Sequence, residues 1–542
     1  MKILYNARIY TMDARQPIAT AMVINDGKIL AVGTDYKILQ EFGHGTGLTA
    51  LAKFDELGKR VIIPGLTDAH IHLENYAFSQ QRVDCETPSR EECIQRVAER
   101  ARVTPTGDWI LGHGWNQNNW PEGFGHASDL DAVAPHHPVF LTAKSGHAGW
   151  MNSAALHLAG INSGTPDPSG GRLSRDAHDS PNGILFEAAM DFAYKTIPEP
   201  PVDIIAKAIG AAQATLLRMG LTCAHDYDQS RCFSALQSLH SRGELGLRVV
   251  KGIPLEDLPS ATAAGLRSGF GDDFLRIGSV KAFADGALGP QTAAMFQPYE
   301  GEPAGDYRGM LFMDGEELFE HGRLAAQHGL SMAVHAIGDR AIHEMLNGFE
   351  HLRKYENDEL GLSAKSGKAY LRHRIEHVQL LHPDDVARLA KLGIIASMQP
   401  IHATSDMLIA DRYWGKRAAL SYALRTQLEQ GAVLAFGSDA PVESPNPFWG
   451  LHAAVTRRRL DGTPGPDGWY PQQRLSVEQG LQGFTTGPAY AAGMEDRLGR
   501  LSPGFLADLL VLETDPFHCS PEELAAIHPV RTMVDGKWVW EE

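Results

Sequence analysis

The chain has 542 residues, 43% of them apolar and 21% charged, a balance that can bury a large core and argues against wholesale disorder. Its formal net charge of −17 speaks against nucleic acid and anionic membrane surfaces, both of which need a basic footprint. Five scattered cysteines with no C-x-x-C pair make a disulfide framework or a thiolate zinc site unexpected, and with no signal-like or bilayer-length apolar run a cytoplasmic protein is expected.

Taken in order, residues 1–60 read as short strands and turns, including an Asn25-Asp26-Gly27 hairpin turn between two apolar runs. Residues 61–66 form a β-branched run leading to His70-Ile71-His72. The next stretch, about 75–197, is too long for a plain loop and carries its own strand signals at 109–112 and 139–142, so we read it as an inserted subdomain over the site. Further strands are expected at 221–225, 247–252, 277–283, 331–335, 371–377, 394–398 and 433–437. Helical stretches such as 202–219, 315–328, 383–392 and 418–430 separate them. Eight alternating strand–helix units over 61–490 predict an α/β fold, a (β/α)8 TIM-like barrel whose site lies at the C-terminal strand ends, with a doubly wound open sheet as the alternative. Residues 491–542 return to short strands, including a turn at Asp535-Gly536. The two ends together predict one small β-sandwich domain, or else two independent hairpins.

The alternation of a strand points His70 and His72 to the same side, and two imidazoles on one face can chelate a metal. Four more polar residues fall at or near predicted strand ends: Lys281, His335, His377 and Asp439. Singly, each has a plain explanation, as a strand gatekeeper, a satisfied core histidine or a helix N-cap. Together they aim at one end of one barrel, where metal chemistry is the common reading.

The stretch Pro64-Gly65-Leu66-Thr67-Asp68-Ala69-His70-Ile71-His72, Lys281, the two later histidines and Gly437-Ser438-Asp439-Ala440-Pro441 resemble the amidohydrolase superfamily of metal-dependent hydrolases. Residues 112–120, 145–156, 280–289, 335–341, 374–380 and 436–442 resemble the branch typified by N-substituted formamide deformylase (amidohydrolase family 3). The resemblance implies two divalent ions, zinc in kind. His70, His72 and Asp439 would hold the more buried ion, His335 and His377 the more exposed one, and a carboxylated Lys281 would bridge them. With an unmodified lysine the site would hold one ion.

The expected reaction is hydrolysis of a carbon–nitrogen bond in a small non-peptide amide or N-substituted formamide. A metal-activated hydroxide attacks the carbonyl carbon, and Asp439 moves the proton to the leaving nitrogen. Asp68 is expected to orient an imidazole from behind. His147 is expected near the substrate as a donor to the developing oxyanion, and Trp115 and Trp120 as walls of an apolar pocket. One departure stands out: where the branch has Ser-Leu-Gly-Ser-Arg, this chain has Ala287-Leu288-Gly289-Pro290-Gln291, which removes a cationic clamp. Ester, lactone or carbamate hydrolysis on the same site is an alternative, as is a catalytically silent regulatory or binding homologue. The partner expected is a small molecule, with a homodimer by analogy.

Overall fold

The computed structural model describes residues 1–43, 52–301, 305–362 and 371–542. Its centre is an eight-stranded parallel sheet: β1 (Leu66–Ile71), β2 (Leu221–Asp226), β3 (Arg248–Pro254), β4 (Leu275–Phe283), β5 (Met332–Ala336), β6 (Arg374–His377), β7 (Ile395–Met398) and β8 (Leu434–Phe436). Neighbours in sequence are neighbours in the sheet. The first and last strands meet just past their ends, where Asp439 N donates to His70 O (2.7 Å) and His72 N to Ala440 O (2.9 Å). The sheet therefore curls into a TIM-like barrel. Helices on its outer face explain why these strands read as nearly unbroken apolar runs, since both faces are covered.

The outer helices follow sequence signals. The helix Gly315–Gln327 starts on a capping box, with Asp314 accepting from Glu317 N and Glu317 reaching back to Asp314 N. The helix Asp339–Asp358 buries Ile342, Met345, Leu346, Phe349 and Leu352, spaced to face one side.

The apolar run at 61–66 is not one barrel strand. Val61–Pro64 pairs with Arg8–Tyr10 and Leu509–Leu512 in a separate sheet, and the barrel begins only at Leu66. Gly65 is the break. A Cβ there would lie 2.3 Å from Thr222 Oγ1, and its own amide donates to Asp508 O at 2.9 Å. Because both contacts are distant in sequence, the local pattern carries no sign of the break.

Chain ends combine around this point. One sheet orders Lys28–Gly33, Ala21–Asn25, Lys2–Tyr5 and Lys53–Glu56. The other orders Lys537–Glu541, Pro529–Val534, Leu509–Leu512, Val61–Pro64, Arg8–Tyr10 and Ile18–Ala19, mixing strands from both termini. Leu4, Ile9, Met22, Ile62, Leu509 and Met533 pack in their shared core. A buried bidentate pair ties this unit to the barrel: Arg248 at the start of β3 donates to both carboxylate oxygens of Asp508 (2.6 and 2.9 Å).

Between β1 and β2 the chain builds a further six-stranded sheet, ordered Gly171–Arg175, Pro181–Glu187, Ala148–Met151, Val139–Ala143, Ile110–Trp115 and Val83–Asp84. Its core holds Trp115, Trp120 and Trp150, with the Trp120 ring against both of the others. Residues of this sheet and its loops, among them Trp115, Lys144, His147 and Glu187, share one cavity with the barrel's C-terminal strand ends. Among the described residues no helix is long and apolar enough to cross a membrane.

Candidate metal centre

Strand alternation brings His70 and His72 out at the end of β1, and the return of the chain after β8 lays Asp439 across them. His70 Nε2 and His72 Nε2 lie 3.4 and 3.3 Å from Asp439 Oδ1, and His377 Nδ1 lies 3.9 Å from Oδ2. Asp439 and His377 both adopt positive φ (61° and 75°), a conformation disfavoured for side-chain-bearing residues that persists only where the surroundings impose it. The hydrogen bond from Asp439 N to His70 O is one such constraint.

Each imidazole is aimed from behind. His70 Nδ1 donates to Glu376 Oε2 (2.6 Å), His72 Nδ1 to Asp228 Oδ1 (3.3 Å) and His377 Nδ1 to Gln399 Oε1 (2.9 Å). That tautomer leaves the Nε2 lone pairs free, as metal ligation requires. Glu376 is in turn fixed by the buried Arg374, whose Nη2 lies 2.9 Å from Oε2. Asp68 does not perform the orienting role expected of it. Its carboxylate accepts from His70 N (3.1 Å), Ser438 N (3.0 Å) and Ser438 Oγ (2.5 Å), so it clamps β1 to the loop after β8 through the backbone.

Electrostatics suit neutral nitrogen donors at His70, His335 and His377 beside an ionised acid. At His72 burial is outweighed by Asp228 and Asp439, which raise the imidazole to about 10 and leave it a proton that a bound cation would displace. Burial holds His335 and His377 well below the usual imidazole range, and burial together with the Lys281 charge brings His70 down to about 4. Burial opposes ionisation of Asp439, but His70 and His72 outweigh it and keep the acid well below its ordinary value. Burial lowers Lys281 to about 8, with its Nζ 4.5 Å from the centre of the Phe283 ring, so a nucleophilic neutral amine is accessible near neutral pH. His70 Nε2 is buried without a hydrogen-bond partner, an orphan that a bound cation satisfies. The donor set therefore fits a divalent metal.

His335 sits beside His377, ring centres 4.6 Å apart, with Nε2 donating to Gly286 O at 3.0 Å. The turn that follows its strand is held by Asp285, just after β4, which accepts from Ile337 N and Gly338 N as well as Ala294 N, all within 3.0 Å. On the opposite side His147 stands 5.3 Å from the His335 ring and bonds Glu187 Oε2 through Nδ1 (2.8 Å). Burial lowers the His147 pKa, yet the Glu187 charge more than offsets it and leaves the imidazole easier to protonate than usual. Glu187 itself holds a positive φ of 51°.

All six predicted ligands and His147 line a single cavity of about 1080 Å3. Trp115 touches that cavity while its indole N–H is spent on Leu141 O (2.8 Å). Trp120 does not line it; the ring packs in the core of the inserted sheet and donates to Thr87 O (3.0 Å). The loop after β4 presents Ala287 to Pro290 to the cavity, whereas Gln291 faces away from it.

Several neighbours escape sequence reading. Glu376, Asp228, Gln399 and Glu187 lie 306, 156, 22 and 40 positions from His70, His72, His377 and His147, the histidines they hold. His402, in the short helix Pro400–Ser405 after β7, is buried with Nε2 unpartnered and its ring parallel to His377 at 6.3 Å. Ligand atoms of His377, His402 and Asp439 all fall within 4.8 Å of one another, as do those of His70, His72 and Asp439. Among 24 histidines its only local signal was a position just past a strand.

Comparison with known proteins agrees with this geometry. The profile described as the amidohydrolase family matches residues 56–540. The Bacillus subtilis protein YtcJ, named as an amidohydrolase, is 31% identical over 100% of this chain and 99% of its own length. N-substituted formamide deformylase of Arthrobacter pascens is 28% identical over 98% of this chain and 97% of its own. A metal-dependent hydrolase from Pyrococcus horikoshii superposes with a TM-score of 0.77 at 28% identity, covering 96% of this chain and 99% of that one. The chain belongs to the amidohydrolase family and is a metal-dependent hydrolase of carbon–nitrogen bonds.

Proposed function

We propose that the cavity hydrolyses the carbon–nitrogen bond of a small non-peptide amide, of the N-substituted formamide class. The observation that carries this reading is the convergence of His70 Nε2, His72 Nε2 and Asp439 Oδ1 within 3.4 Å, with the first of these buried and unpartnered. His70, His72 and Asp439 would hold one zinc ion; His377, with His335 or His402, would hold the second, and a carboxylated Lys281 would join them. When bound, the ions polarise the amide carbonyl and acidify water near neutral pH.

Asp439, ionised and pinned by the backbone bond to His70, is placed to accept a proton from water and pass it to the leaving nitrogen. His147, steadied by Glu187, is placed to donate to the oxygen on which charge develops. The inserted sheet closes one side of the cavity and limits access of bulk water. Similarity to the formamide deformylase over nearly the full length of both chains supports the substrate class.

The test combines metal content per chain, the intact mass around Lys281 and turnover of N-substituted formamides. Two zinc ions, a gain of about 44 Da at Lys281 (one carbon dioxide) and release of formate are expected. A metal-replete protein that releases neither formate nor any other acid from amides would overturn the reading in favour of a silent homologue. Loss of turnover in D439N with metal retained separates proton transfer from ligation.

A further inference from the structure

Most charged side chains in the cavity wall, outside the metal constellation, have a carboxylate, a cation or a hydrogen-bond partner. Lys144 Nζ lies between Glu86 Oε1 (2.5 Å) and Glu443 Oε1 (2.9 Å), Glu187 holds His147, and Asp406 accepts from the Tyr422 hydroxyl (2.5 Å). Arg458 pairs with Glu522, and Arg459 donates to the carbonyls of Thr404 and Ser405 (2.9 and 2.8 Å). Asp191 stands exposed at the rim.

Arg82 is the exception. Half-buried Arg82 lines the same cavity, yet among the described residues its guanidinium has no carboxylate within 4.0 Å and no hydrogen-bond acceptor; it lies 6.0 Å from the centre of the Phe78 ring. The acids nearest to it cannot serve as partners. Asp228 is taken up by His72, Asn75 and the amide of Glu74, and neither it nor Glu74 comes within 4.0 Å of the guanidinium. Burial also lowers the Arg82 pKa, and Tyr194, Asp228 and Glu74 offset that only in part. Taking a charge even partly out of water is unfavourable unless an anion compensates it. Arg82 follows the helix Leu73–Ser79, which itself starts immediately after His72, and lines the same cavity as His72. The loop after β4, which brings no cation to the cavity, leaves this role open. A guanidinium presents two parallel N–H donors, the geometry a carboxylate accepts.

We propose that Arg82 is a specificity-determining residue that binds the carboxylate of the substrate, so that the preferred amides are anionic. This rests on the amidohydrolase reading above and adds the substrate's charge. Two matched pairs test it with the metal-loaded enzyme: N-formylphenylalanine against N-(2-phenylethyl)formamide, and N-benzylsuccinamate against N-benzylbutanamide. Within each pair only one member carries a carboxylate, placed on the nitrogen side in the first and on the carbonyl side in the second. In at least one pair the wild type is expected to favour the acid in kcat/KM. R82M should lower that ratio at least tenfold, and R82K should fall between. R82M should also unfold at or above the wild-type temperature, whereas a merely structural arginine would lower it. No preference for either acid, or a ratio unchanged in R82M, overturns the proposal. If no amide is turned over, the functional reading fails by itself, and calorimetric titration of 3-phenylpropanoate decides the question of Arg82: binding weakened tenfold or more in R82M upholds the anion site, and equal binding removes it.

Discussion

Asp228 gathers more bonds than any ligand it serves. Its Oδ1 accepts from His72 Nδ1 (3.3 Å) and Asn75 Nδ2 (2.7 Å), and its Oδ2 from Glu74 N (2.6 Å) and Asn75 N (3.3 Å). It thus caps the helix that starts after His72 and sets the imidazole's tautomer in one stroke. D228N keeps the shape but removes the charge that favours the Nδ1–H tautomer. Metal affinity is expected to fall about 10- to 100-fold, read by competition with a chelator dye, with the fold retained by circular dichroism. An affinity within twofold of wild type would show that His72 needs no such support. This residue illustrates what the sequence conveys and what it withholds. His70 and His72 were legible because strand alternation is local, and Asp439 because it follows a strand end. Asp228 and Glu376 are partners to histidines 156 and 306 positions away, a relation that no local pattern encodes.

At the scale of elements, the helix Asp339–Asp358 meets the start of β6 through Glu356. Its carboxylate bonds Arg353 (2.6 Å) within the helix and His373 Nε2 (2.6 Å), one residue before the strand, and all three side chains are nearly or fully buried. Burial opposes ionisation, but the Arg353 and His373 partners overcome it and the acid stays below the usual glutamate range. A lowered folded-state pKa contributes stability that is complete above the unfolded value and lost as pH falls through the folded one. E356Q should therefore cost about 3–5 kcal/mol near pH 7, the penalty for breaking a buried pair, and the gap from wild type should narrow below about pH 4.5. Urea midpoints across a pH series check this; a gap that widens in acid would reverse the sign. The helix and strand themselves were plain in the apolar periodicity. The break at Gly65 and the burial of Trp120 were not: an apolar run reads alike in a sandwich or a barrel, and a tryptophan alike in a core or a pocket wall, until tertiary neighbours decide.

For the whole molecule, the barrel was recoverable because eight strand–helix alternations leave few arrangements, and the two-ended β unit because both termini share short strands with Asp-Gly turns. The inserted sheet's position over the site was inferable only from its length and place. One consequence concerns the line where the barrel shuts. The first and last strands touch through a handful of bonds around His70, His72, Ser438 and Asp439, and three of those residues are themselves proposed to share an ion. A cation there acts as a clasp across the weakest join of the cylinder, linking chain segments that close the largest possible loop of the barrel. Stripping the metal should leave the distant strands intact while amide hydrogens along β1 and β8 begin to exchange first, measured by deuterium uptake with and without chelator. Uniform protection in both states would mean that the cylinder holds itself shut, and that the ion serves chemistry alone.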